Sequence, residues 1–406
     1  MTLSRRVMMS FTVFAMFFGA GNLIFPVFLA FQAGENVIPA FLGFAISAIG
    51  LPVLALQAVT RTGNLGTLAD RVHPLFSRIF TIVIYLAIGP CLAIPRTAST
   101  SCEMVLLAMG SSSRTVTFIY CTVFFAAAGL MARKPEKLSK RLGKFLSPLL
   151  ILLILFLLTG TLSAGSLEST PVQGSYVHSP FSEGFLEGYQ TMDAIAGLVF
   201  GSILALNISK AEAGQNVKRE CVIASIAGGF LILAVYTGLA LIGLSSHRFL
   251  ASAANGAEIL SAAASAVFPG CGRCLIALIF IIACFNTCTG LLSSCGEYFS
   301  RIAPSVSRDK WIALFCLVSL VLANAGLDQM ISLSAPVLEL IYPVAVTLMA
   351  LAFIPHQSGL KAAYVLSAAS ALIFSAAALI TDKSFIWIPP VIIAAAAGFI
   401  TGRKRS

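Results

Sequence analysis

Asn22, Arg96, Asp193 and the pair Asn286-Thr287 all lie inside long apolar runs, and each raises the question of what a polar group does there. Asn22 belongs to Phe17-Phe-Gly-Ala-Gly-Asn-Leu-Ile-Phe-Pro26, where Gly19, Gly21 and Pro26 weaken any helix. Asp193 stands several residues into a second run, Gly188-Tyr-Gln-Thr-Met-Asp-Ala-Ile-Ala-Gly197, with Thr191 close by. In a third run, Ala283-Cys-Phe-Asn-Thr287 puts a carbonyl and two side-chain oxygens within about one helical turn. Arg96 follows Gly89-Pro90 and Pro95, and Glu103 lies seven residues further on. These groups hold ions rather than make bonds. Freed backbone amides attract an anion, exposed carbonyls an ammonium, and clustered hard oxygens a cation such as Na⁺.

Each feature has two readings. Gly19–Asn22 is either an unwound stretch lining a cavity, as discontinuous helices do in secondary transporters, or a helix notched for close packing. Asp193 either lies on a solute, ion or proton path or caps a half-helix at the outer mouth. Arg96 and Glu103, about two turns apart, can share a face as a structural ion pair; Pro90 and Pro95 predict a tilt or kink.

The elements that carry these residues follow from composition. The 406 residues are 58% hydrophobic and 10% charged, and the mean hydropathy is +0.95. Soluble domains carry roughly 25% charged residues, so the chain is all-α, polytopic and solvated by a lipid bilayer. Ten-residue alternation of the membrane-barrel kind is lacking. Apolar length and punctuation mark membrane segments near 7–31, 37–59, 76–108, 115–132, 145–164, 185–208, 220–244, 273–299, 311–323, 330–354, 362–380 and 385–401. Twelve transmembrane helices are therefore predicted.

The net charge of +10 does not point to nucleic acid. Most lysines and arginines fall in alternate connections, which places both termini in the cytoplasm. The first and sixth segments are both interrupted by glycine, and their starts are five helices apart, an odd number per unit that inverts the second unit. The pattern predicts inverted repeats over 1–164 and 183–355, with helices 1 and 6 discontinuous, and two further helices with a basic tail over 361–406. His73, His178, His247 and His356 are scattered through connections, and no GxxxxGK[ST] loop is present. Neither an enzyme nor a primary pump is indicated, nor is an obligate protein partner. Cys271 and Cys274 form a lone CxxC without the second pair or His cluster of a metal site.

Further stretches make the chain recognisable: Gly50-Leu-Pro52, Gly89-Pro-x-x-Ala-x-Pro-Arg-Thr-Ala98, Tyr189-x-Thr-Met-Asp193, Gly290-Leu291 and Glu297-Tyr-Phe299, together with Phe17–Pro26. With these the sequence resembles the branched-chain amino acid:cation symporters of bacteria, a family that looks like part of the LeuT-type superfamily. The resemblance implies a bacterial inner-membrane location and import of Leu, Ile and Val with Na⁺ by alternating access. It implies a solute site of Gly19, Ala20, Gly21, Asn22, Thr191, Met192, Asp193 and Ile195, the first three amides meeting the carboxylate. It also implies a Na⁺ held by carbonyls of Ala15, Phe18 and Ala283 and side chains of Asn286 and Thr287. Pro90, Pro95, Arg96 and Glu103 have structural or gating roles in this expectation. Two alternatives stay open: the same carrier driven by protons, with Asp193 in their path, and a channel for small solutes.

Overall fold

The computed structural model describes residues 3–110, 113–133, 151–152, 154–163, 171–211, 217–354, 360–381 and 383–403. All regular structure among them is helical. In chain order the helices are α1 Leu3–Phe17, α2 Ala20–Ala33, α3 Val37–Ala45, α4 Leu51–Thr62, α5 Leu65–Ala69, α6 Pro74–Leu86, α7 Ala93–Met109 and α8 Arg114–Ala132. Then come α9 Ile154–Ser163, α10 Pro180–Tyr189, α11 Asp193–Ala211, α12 Val217–Ser245, α13 Gly256–Val267, α14 Gly272–Ile302, α15 Arg308–Ala323, α16 Leu327–Leu351, α17 Lys361–Thr381 and α18 Ile388–Arg403. Seven continuous helical stretches among the described residues are long and apolar enough to cross a membrane. Their outward faces stay apolar: Phe118, Val123, Phe230, Leu278, Ile373 and Ile380 are exposed, as a surface solvated by lipid requires.

The first, third and sixth predicted segments are not single helices. The first divides into α1 and α2, the sixth into α10 and α11. The third bends through a π turn at Ala87–Cys91, where Gly89 leaves helical geometry with φ −98° and ψ −126°. Pro90 has no N–H to continue the ladder, and its carbonyl instead accepts a bond from Ser319 Oγ of α15 at 3.2 Å. Pro95 makes no kink. It falls in the first turn of α7, where a missing N–H has no partner to lose. The helix α13 lies in what the hydropathy pattern leaves as a connection between the seventh and eighth segments. The loop at 134–144 and part of the predicted segment 145–164 fall outside the described residues.

Glycine sets how closely the broken helices approach their neighbours. A Cβ on Gly184 of α10 would overlap the Ala40 backbone of α3, and one on Gly43 of α3 would overlap the Phe181 carbonyl of α10. On α11, Gly197 and Gly201 face α4, where a Cβ would come within 2.9 Å of Ala55 and 2.8 Å of Val59. This is small-residue packing of the membrane kind, without a hydrophobic drive between helices. At the opposite end of α1, Arg6 grips the buried Glu220 of α12 with two bonds of 2.6 and 2.9 Å. The helices α1 to α4 and α10 to α12 thereby form one bundle around both breaks.

Candidate functional site

At the first break, Phe18 still donates to the Phe14 carbonyl at 2.9 Å, and Gly19 then turns to extended backbone with φ −130°. Leaving the helix there deprives the last carbonyls of α1, at Ala15, Met16 and Phe17, of a following turn of amides. The first amides of α2, at Ala20, Gly21 and Asn22, likewise have no preceding carbonyls. The Gly19 amide is different: it donates to Asn22 Oδ1 at 3.0 Å. It is therefore engaged within the chain, and the expectation that it meets a carboxylate needs correction. Pro26 adds one more free group, since without an N–H it leaves the Asn22 carbonyl unpaired in the helix.

The second break is built differently. The amides of Gln190, Thr191 and Met192 donate one tight turn back to Glu187, Gly188 and Tyr189 at 3.0, 3.3 and 3.0 Å. Thr191 Oγ1 adds a bond to the Gly188 carbonyl at 2.9 Å, and Ser334 of α16 holds Gln190 Oε1 at 2.9 Å. Met192 has φ 61°, the left-handed value, and is the non-glycine residue with positive φ among those described. A buried side chain on such backbone costs on the order of 1–3 kcal/mol and persists only where its surroundings fix it. The turn delivers Asp193 as the first residue of α11, 4% exposed.

The two breaks meet at one node. Asn22 Nδ2 donates to Asp193 Oδ2 at 2.5 Å and also faces the Tyr236 hydroxyl of α12. Tyr236 in turn donates to the same Asp193 oxygen at 3.3 Å. The orientation of the Asn22 amide is settled by its partners, an N–H on its oxygen and a carboxylate on its nitrogen. Asp193 is thus more than a helix cap: it is a buried acceptor shared by α2, α11 and α12. Sequence reasoning passed over Tyr236, because a tyrosine in an apolar run reads as ordinary packing. The signal was indirect: a buried carboxylate needs donors, and its own helix supplies none.

The remaining predicted residues divide. Thr287 of α14 lies against the first break, since a Cβ on Gly19 would sit 3.3 Å from its Oγ1. Thr287 Oγ1 donates to the Ala283 carbonyl at 3.1 Å, so these two oxygens share one helix face. Asn286 is the third residue of the expected Na⁺ set on α14. It lies three residues after Ala283, and its side chain makes no hydrogen bond among the described residues. Ile195 and Phe18 are buried, and Phe18 stacks on Phe14 at 4.8 Å. Arg96 and Glu103 form no ion pair. Arg96 lies over the Phe25 ring, 5.2 Å from its centroid, whereas Glu103 is two turns along α7, where its charged neighbours are Asp328 and Glu258. Cys271 and Cys274 are free and exposed, and no group of three His, Cys, Asp or Glu side chains suited to a metal occurs among the described residues.

Comparison with known proteins places this architecture. The family model described as "Branched-chain amino acid transport protein" matches residues 3–403. The branched-chain amino acid permease BraB of Bacillus subtilis is 35% identical over 354 residues, which cover 86% of this chain and 79% of that protein. The permease BrnQ of the same organism is 37% identical over 358 residues, covering 86% and 80%. Among solved structures, Mhp1, a nucleobase-cation-symport-1 family transporter in a closed conformation with bromovinylhydantoin, superposes with a TM-score of 0.68. It is 16% identical, with 97% of this chain and 92% of that one covered. MhsT in complex with L-phenylalanine gives a TM-score of 0.63 at 15% identity, covering 96% and 98%. At such identities the likeness is one of fold.

Proposed function

The chain belongs to the branched-chain amino acid transport protein family, a family of membrane transporters rather than enzymes, and on that premise we propose that it imports Leu, Ile and Val by Na⁺ symport through alternating access. The observation that carries this reading is the Asn22–Asp193–Tyr236 node. It joins two broken helices beside the open ends of α1 and α2. A zwitterionic solute fits those ends: the first amides of α2 suit its carboxylate, and the last carbonyls of α1 suit its ammonium. Apolar neighbours such as Met192 and Ile195 suit an aliphatic side chain. A methylene there is worth about 1–3 kcal/mol, so Leu, Ile and Val are poorly separated.

Na⁺ fits part of the expected donor set. The carbonyls of Ala15, Phe18 and Ala283 and the hydroxyl of Thr287 are hard oxygens around the first break, a chemistry suited to a small cation. Asn286, three residues after Ala283 on α14, is kept in the proposed set by spacing alone. The ion's contribution is charge: bound beside the solute, it favours the carboxylate. Twelve membrane helices, inverted repeats over 1–164 and 183–355, the extra pair over 361–406, cytoplasmic termini and a bacterial inner-membrane location complete the reading. The bundle of α1 to α4 and α10 to α12 would rock against the remaining helices.

A second reading keeps the fold and the solute but couples to protons. It is favoured by Asp193, a buried carboxylate held by neutral donors without an ion pair. Uptake of labelled leucine into vesicles, driven separately by a Na⁺ gradient and by a pH gradient, separates the two. If Na⁺ neither drives nor accelerates uptake, the symport reading with sodium is wrong; saturation by leucine distinguishes either carrier from a channel.

A further inference from the structure

We propose that Arg96 of α7 reads the carboxylate of the transported amino acid and so makes the site specific for acids over their amides and alcohols. The inference rests on the amino acid reading above. Arg96 is 4% exposed, deep in the protein. Its guanidinium reaches the first turn of α2, where a Cβ on Gly21 would lie 3.2 Å from Nη2. Glycine at position 21 is what admits it. Phe25, one turn further along α2, carries the guanidinium on its ring face at 5.2 Å, a contact that fixes the plane of the fork but accepts no N–H.

The charge itself is left without a contact partner. Arg96 Nη1 is buried and has no hydrogen-bond acceptor among the described residues. No carboxylate among them reaches ion-pair distance of Arg96. Asp193, which acts on it through space, has its Oδ2 already engaged by Asn22 and Tyr236. The first turn of α2 adds a further positive end, and two like charges in an apolar interior repel unless an anion lies between them. The Tyr342 hydroxyl, also buried, gives its proton to no acceptor among the described residues. Donors therefore converge from α2, α7 and α16, whereas the two carboxylates that act on Arg96 through space, Asp193 and Glu187, stay outside ion-pair distance. Planar guanidinium and planar carboxylate match as a fork, which an amide or alcohol cannot answer with charge.

The test compares leucine with leucinamide and leucinol as competitors of labelled leucine on the full chain in proteoliposomes. Wild type should prefer leucine by about 10- to 100-fold, the worth of one charge-assisted bond. Arg96→Gln should raise the half-saturating leucine concentration by a similar factor and leave the weak inhibition by leucinamide and leucinol unchanged, so that the ratio collapses. Arg96→Lys, which keeps charge and loses the fork, should fall between. A purely structural Arg96 predicts the opposite pattern: all three ligands weaken together and the ratio is kept. A preserved ratio in whichever variant accumulates in the membrane overturns the proposal, as does a wild type that inhibits equally with all three compounds. If the wild type takes up aromatic or polar amino acids in place of leucine, the function above falls while Arg96 is still judged by the acid-to-amide ratio of that solute. If it takes up no amino acid, both fall.

Discussion

The two helix breaks face one another but handle their backbone in opposite ways. The break between α10 and α11 consumes its own groups: three successive amides turn back onto Glu187, Gly188 and Tyr189, and Thr191 closes the turn with its hydroxyl. The break between α1 and α2 leaves most of its groups open. Among the described residues, the amides satisfied there are those of Phe18 and Gly19, one by the Phe14 carbonyl and one by Asn22. In the function proposed above, the first break is the binding face, and the second is a mount that holds Asp193 against it. The difference also explains the residue types. Open backbone needs small residues so that a ligand can approach, while a self-satisfied turn tolerates Met192 even in the left-handed region.

If Asp193 is the mount's working end, its charge should matter most. Asp193→Asn keeps the shape and removes the acceptor charge shared by Asn22 and Tyr236. With two charged hydrogen bonds weakened, leucine uptake should drop by about 100-fold or more. Near-normal uptake in vesicles would instead make Asp193 a helix cap. Tyr236→Phe removes one donor of the same node and leaves an Asn22 N–H unpaired, an effect of about 10-fold on the half-saturating leucine concentration. Should that concentration stay put while uptake is normal, the node does not organise the solute site.

The first break is probed from the opposite wall. Thr287→Ala should raise the Na⁺ needed for half-maximal uptake by about 3- to 10-fold, one neutral oxygen's worth, with Thr287→Ser within about 2-fold of wild type. An unchanged Na⁺ dependence in the alanine variant rejects Thr287 as a ligand. Gly19→Ala is the mildest. Its backbone is extended, which alanine adopts freely, and the added methyl would sit 3.3 Å from Thr287 Oγ1. A change in Na⁺ dependence below about 3-fold is expected for so small a displacement. Complete loss of uptake would mean that a ligand or a moving helix passes closer to Gly19 than the structure shows.

Much of this was legible in the chain, and the particular failures are instructive. Glycine and proline announced the first break because they act through local backbone geometry. The third segment's kink was legible at Pro90 and misplaced at Pro95, since the cost of proline depends on its position within a helix turn. Arg96 and Glu103 had the right spacing for a shared face, but spacing says nothing of what lies opposite, and Phe25 took the guanidinium. The helix α13 was missed because its twelve residues fall short of a membrane span.

The sequence by itself determined a helical membrane chain, the family motifs, and the positions of Gly19, Asn22 and Asp193 as anomalies in apolar runs. Those follow from composition, hydropathy length and the backbone habits of single residues, all of which are local. The tertiary structure alone decided that Asn22 and Asp193 are partners, that Tyr236 completes them, that Asn22 takes up the Gly19 amide, and that Arg96 faces the start of α2. A buried polar group is satisfied by whatever the packing of distant helices brings within about 3 Å, and no periodicity within one helix encodes that choice.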